Sequence, residues 1–139
     1  TINISEYQQK MSIFRIGEVY SVDGRTIRIK VDSDKNLSHL IYQGSLIKNV
    51  SVGSYLKILK GFEALVCQVE SEYIKENDIV ASNYHNQSAE FSRYLNVKLL
   101  GYFKGKEYRK GVKDMPLIGN KCYLLDNEEF ISIHKFYNS

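Results

Sequence analysis

Between Lys104 and Lys113 the chain gathers Lys104, Lys106, Arg109, Lys110 and Lys113 around Tyr102, Phe103 and Tyr108, with Glu107 and Asp114 interrupting the run. Cationic side chains beside aromatic rings can follow a nucleic-acid backbone, with charges on phosphates and rings against bases. The same composition has a simpler use. A lysine-rich turn keeps a strand end solvated and guards it from edge-to-edge pairing. Both uses are open at the level of sequence. The run Gly101-Tyr102-Phe103-Lys104-Gly105-Lys106-Glu107 is not a phosphate loop. A P-loop needs four residues between its glycines and a hydroxyl after its lysine. Here one spacer residue is missing, and Glu107 would set negative charge against phosphate.

Other reactive side chains form no constellation. His39, His85 and His134 are scattered, with no second histidine or cysteine at metal-ligand spacing. Cys67 and Cys122 are too few for a disulfide framework or a zinc site, and Cys67, within Leu65-Val66-Cys67-Gln68-Val69, reads as a small buried apolar group. The carboxylate pairs Asp32/Asp34, Glu70/Glu72 and Glu128/Glu129 suit solvated turns and helix capping. The sequence therefore predicts no catalytic residue, no metal ligand and no cofactor site in this segment. Eleven tyrosines and no tryptophan are unusual. Tyrosine is favoured at interfaces but is also a good strand residue, so this abundance speaks only weakly for an interaction module.

The elements that must position these residues are short strands. At 139 residues the chain fits one domain, and its 43% apolar and 25% charged content is that of an ordered globular protein. A net charge of +3 is mild for a dedicated nucleic-acid binder. No secretory signal and no apolar run near the roughly 20 residues of a membrane span occurs, which predicts a cytoplasmic protein with no membrane contact. Residues 13–22 read as a first strand with a bulge at Gly17, and Asp23-Gly24 reads as a hairpin turn. Ile27, Ile29 and Val31 alternate with polar residues as in a half-buried strand. Further strands are expected around residues 40–42, 46–47, 55–59, 65–70, 95–103 and 121–125, with Gly44 and the Lys60–Glu63 run as turns. Short strands punctuated by glycine favour an all-β fold, a small closed barrel of about six or seven strands. Residues 72–93 read as an irregular loop or helix insertion. Asp126 and Glu129 form a capping box opening a C-terminal helix, with Phe130, Ile133 and Phe136–Tyr137 as its apolar stripe.

Three segments in order give the chain a resemblance. Gly17-Glu18-Val19, then Val52-Gly53-Ser54-Tyr55-Leu56-Lys57-Ile58, then Tyr108–Gly119 with Gly111, Gly119 and the only proline, Pro116, resemble the N-terminal barrel (HAS-barrel) of HerA-like DNA-translocating ATPases. At Arg109 the family more often has an acidic residue. The resemblance implies an extension at 1–12, a barrel at 13–125 and a helix at 126–139 that leads toward a motor domain. It implies structural turns at Gly17, Gly24, Gly53, Gly111, Pro116 and Gly119. It also implies a non-catalytic collar that helps a hexamer assemble and docks a nuclease or a sirtuin-like antiphage effector. ATP, magnesium and double-stranded DNA would be handled by the motor of a parent protein. Thr1 in place of Met and the abrupt end at Ser139 suit an excised piece of such a parent, or a complete module with an unusually abrupt end. The contrasting expectation is a stand-alone, OB-like nucleic-acid-binding barrel using Lys104, Lys106, Tyr108, Arg109, Lys110 and Lys113 as its contact residues.

Overall fold

The computed structural model describes residues 4, 14–32, 39–42, 45–48, 50–76 and 91–138. Among the described residues nine strands run in chain order: β1 (Arg15–Asp23), β2 (Thr26–Val31), β3 (His39–Tyr42), β4 (Ser45–Lys48), β5 (Tyr55–Lys60), β6 (Glu63–Glu76), β7 (Phe91–Lys104), β8 (Glu107–Lys110) and β9 (Lys121–Leu124). Helix α1 follows (Asn127–Asn138). One sheet has the order β2-β1-β9-β5-β6-β7-β8, and an added β2–β7 pairing closes its first six strands into an antiparallel barrel. Strand β8 stands outside the ring. Strands β3 and β4 form a separate hairpin.

Two-residue periodicity builds the barrel. Ile27, Ile29 and Val31 of β2 are buried and alternate with exposed neighbours. They pack inside with Ile16, Val19, Leu56, Ile58, Leu65, Cys67, Val69, Leu95, Val97 and Cys122. Ring closure uses up both edges of each barrel strand along the paired stretches, so backbone groups there need no outside partner. The expected bulge at Gly17 is real: the β1–β9 register slips between Arg15 and Gly17. A Cβ on Gly17 would stand 2.1 Å from the Lys30 carbonyl oxygen, so the two backbones meet closely there.

The first hairpin sits one residue further on than the Asp23-Gly24 signal suggests. Asp23 pairs with Thr26, and the tip is Gly24-Arg25 with Gly24 at φ 59°. Gly53, Gly111 and Gly119 also lie at positive φ, and Pro116 is buried.

One expectation needs correction. The insertion expected at 72–93 is strand at both flanks: β6 and β7 stay paired from Glu72 opposite Leu95 to Glu76 opposite Phe91, and beyond Tyr94, where β2 ends its pairing with β7, they run on as a two-stranded arm. The alternation that marks a half-buried strand is missing from residues 72–75 because all four are exposed. Residues 77–90, the middle of that insertion, lie outside the described residues, as does the extension 1–12 apart from position 4. The run Lys104–Lys113 contains a hairpin. β7 turns back through Gly105-Lys106 into β8, pairing Lys104 with Glu107, Phe103 with Tyr108, Tyr102 with Arg109 and Gly101 with Lys110.

Helix α1 lies against the outside of the barrel. Its capping box forms as expected: the Glu129 N–H donates to Asp126 Oδ1 at 2.8 Å, and the Asp126 N–H donates to Glu129 Oε1 at 3.0 Å. The apolar stripe is narrower than its sequence suggests. Ile133 alone is fully buried, beside Val66 and Tyr108 in a second, small core. Phe130, Ile131 and Phe136 stay exposed, because a single helix on a curved wall touches it along a narrow line.

Candidate functional site

The hairpin β7–β8 disperses the cations that the sequence gathers. Residues directly opposed across an antiparallel pair share a face. Lys110 therefore lies on the face of Gly101, Phe103 and Tyr108, toward α1, while Lys104 and Arg109 lie on the other face with Tyr102 and Glu107. Lys106 is at the tip, 3.9 Å from Glu128. Arg109 is 3.5 Å from Glu107, and Lys113 is 3.4 Å from Glu63 and 5.4 Å from the centre of the Tyr102 ring. Five cations near in sequence thus do not line one groove. They are spread over the end of β7, the turn, the edge strand β8 and its exit, an arrangement suited to edge protection.

Tyr108 is withdrawn from the surface altogether, at 4% exposure. Its ring meets Phe103, Phe136 and Tyr137 at centroid distances of 5.9, 5.2 and 5.7 Å, and its hydroxyl is 2.6 Å from that of Tyr137. Burial first, then the Tyr137 hydrogen bond, push its phenol above the usual tyrosine range. Tyr108 is thus the anchor that receives α1, and its ring is not free to meet a base. A half-buried ion pair fastens the other end of the helix, where Lys57 Nζ donates to both Glu129 oxygens at 2.9 and 2.8 Å.

The connection from β8 to β9 is tied down as well. Lys60 Nζ donates to Asp114 Oδ2 and to the Met115 carbonyl, both at 2.8 Å. The Lys60 hydrogen bond holds the Asp114 carboxyl below its ordinary range. Lys121 reaches Glu18 at 2.7 Å and does the same there. Cys67 and Cys122 are buried free thiols, both pushed up by desolvation. Among the described residues no three His, Cys, Asp or Glu side chains gather to hold a metal ion, and no helix is long and apolar enough to cross a membrane.

A different surface emerges from the ring closure. On the outer wall, β1, β2, β7 and β6 lie side by side, and their outward residues fall into rows: Glu18–Lys30–Tyr94–Tyr73, then Ser21–Arg28–Asn96–Ser71, then Asp23–Thr26–Lys98–Gln68. Tyr94 is sandwiched, stacked on Tyr73 at 5.1 Å and 13° and met edge-on by Tyr20 at 5.4 Å. Tyr20 and Tyr73 remain 51% and 37% exposed. Lys75 continues the outward row of Tyr73 along the arm and is exposed. The sequence gives no warning of this surface, because its residues come from four strands and meet only once β2 pairs with β7. The alternation in β2 is the one signal present, since it marks Arg28 and Lys30 as outward. Compared with models of known protein families and with curated proteins, the chain matches none.

Proposed function

We propose that the chain is the non-catalytic collar barrel of a HerA-like, hexameric, ATP-driven DNA translocase, where it helps subunits associate and docks a nuclease or antiphage effector such as a sirtuin-like enzyme. One observation carries the reading: the three sequence segments behind the resemblance converge on β9. Gly17 and Glu18 pair with Cys122 and Lys121, and the Val19 N–H donates to the Asn120 carbonyl at 2.9 Å. The Gly119 N–H donates to the Val19 carbonyl at 2.8 Å, so the end of the proline segment joins the same seam. On the other side of β9, Leu56 to Leu59 pair with Leu124 to Lys121. Segments that matter only in their order thus form one structural unit.

A barrel that satisfies its own strands leaves association to its outer wall and helix. Head-to-tail contacts between identical subunits close into a ring when the rotation allows. ATP and magnesium belong to the motor in this reading, and double-stranded DNA passes through the motor pore. The reading expects a longer protein around this segment, and the test is made on it. The reading predicts a P-loop motif, G-x4-G-K-[ST], after Ser139, DNA-stimulated ATP hydrolysis, and a hexamer. Deleting residues 13–125 should abolish ring formation or effector co-purification. A deletion that leaves both intact, or an encoded protein with no P-loop, refutes it.

A further inference from the structure

We propose that the outer wall of β1, β2, β7 and β6 binds single-stranded nucleic acid, with Arg28, Lys30, Lys75 and Lys98 taking phosphates and Tyr20 and Tyr73 stacking on bases. This goes beyond the collar reading and stands independently of it.

The first support is the distribution of unsatisfied charge. Among the described residues, Lys57, Lys60, Arg93, Lys106, Arg109, Lys113 and Lys121 each have a carboxylate within 4 Å. None of the cations on this wall has one. Arg28, Lys30, Lys75 and Lys98 are all exposed. Glu18, the acid nearest in the rows, is engaged by Lys121 and further lowered by the charge of Lys30, while Asp23 and Glu70 lie at the border. Four cations on one surface, none with a carboxylate within 4 Å among the described residues, attract a polyanion even though the whole chain carries only +3.

Aromatic geometry supplies the second support. A stacking platform needs rings held rigidly with a face or edge left open to an unstacked base. Tyr94, 6% exposed, is the fixed centre, and Tyr20 and Tyr73 brace it while staying accessible. Cations flank the rings at short range: Lys30 is directly opposite Tyr94, and Lys75 is two residues along from Tyr73. Outward neighbours on one strand, such as Arg28 and Lys30, are roughly 7 Å apart. A backbone crossing the wall can therefore meet successive charges while its bases reach the rings. Helix α1 does not obstruct the surface, because it covers Val66, Phe103 and Tyr108 further down β6, β7 and β8. Stacking requires bases free of a partner strand, which selects single strands over duplex.

Fluorescence anisotropy on the intact chain tests this with three labelled probes: a 15-nucleotide oligo-dT, the matching oligo-rU and a 15-base-pair duplex. Binding should favour the single strands, and the better of the two identifies the natural ligand as DNA or RNA. Four phosphate contacts predict a salt slope of about −2.8, a loss of roughly 50-fold between 50 and 200 mM salt. Arg28→Glu with Lys30→Glu and Lys98→Glu should abolish measurable binding. Tyr73→Ala should weaken it by at least about 5-fold while leaving the salt slope unchanged. Lys104→Glu with Lys110→Glu, on the distant hairpin, should cost less than 2-fold on the order of a single weak contact. All substitutions are at exposed positions, and a thermal melt of each variant separates lost binding from lost folding. If a reversal variant is unfolded, single Lys98→Ala and Lys30→Ala variants take its place and should each lower the salt slope by about 0.7. The proposal is overturned if the intact chain binds no single strand at 50 mM salt, if duplex is preferred, or if the folded wall variants bind as well as the parent.

Discussion

Replacing Ile133 by Ala should release helix α1 while leaving the barrel closed. Ile133 is fully buried, and its neighbours Val66 and Tyr108 belong to a core separate from the barrel interior. Removing such a side chain costs about 2–5 kcal/mol, and a single helix on an open wall can settle to fill part of the void, so about 2–3 kcal/mol is expected. The remaining attachments are the Lys57–Glu129 pair, the Tyr108–Tyr137 hydrogen bond and the Tyr108 ring contacts with Phe136 and Tyr137, each worth on the order of 1 kcal/mol. A large share of the docking energy therefore goes. Native-state hydrogen exchange should show α1 amides opening roughly 30- to 150-fold more often, since each 1.4 kcal/mol is a factor of ten. Amides of β2 and of β7 between Leu95 and Val97 should keep their protection. An ultraviolet titration provides a second readout, because Tyr108, once uncovered, should ionise nearer the ordinary tyrosine range. Equal loss of protection in β2 and α1 would show that the two cores unfold as one unit and would refute the reasoning. So would an α1 whose exchange does not change.

Three further outcomes are expected. Gly17→Ala should destabilise the barrel by about 1–3 kcal/mol through its collision with the Lys30 carbonyl, and Gly24→Val by about 1–2 kcal/mol through its left-handed φ, both read from denaturant unfolding. Glu18 and Asp114 have carboxyls held low in the folded state, so their ion pairs stabilise above the unfolded value near pH 4 and fade as pH falls through the lower folded values. Melting temperatures of the parent and a Glu18→Gln, Asp114→Asn variant should thus differ at pH 7 and converge near pH 2 on the order of those values. Cys67 and Cys122 should resist a thiol-reactive dye at pH 8 in the native protein and both react in denaturant; rapid native labelling would contradict their burial.

What the sequence disclosed follows physical lines. Strand β2 is legible because Ile27, Ile29 and Val31 alternate over a core, and the start of α1 because Asp126 and Glu129 cap it reciprocally. Strand β8 is not legible, since Tyr108 is its one buried residue and the other three are charged and solvated. The β6–β7 arm is hidden for a related reason: residues 72–75 are all exposed, so no buried face imprints a two-residue alternation on them. The tight approach at Gly101, where a Cβ would lie 2.2 Å from the Arg109 carbonyl oxygen, depends on the hairpin that β8 creates. The basic run 104–113 is conspicuous in sequence and dispersed in space. The wall around Tyr94 is the converse, inconspicuous in sequence and assembled in space.

Strand β9 is the keystone of the ring, bonded to β1 on one flank and β5 on the other, although it is nearly the last element of the described chain. Until it arrives, the interior gapes between two raw strand borders. On a ribosome the wall can curl but not seal before Leu124 has emerged. In refolding from denaturant the same join brings together parts of the chain far apart in sequence, and such distant encounters slow a fold. Seam formation between β9 and its flanks should therefore govern the tempo of maturation.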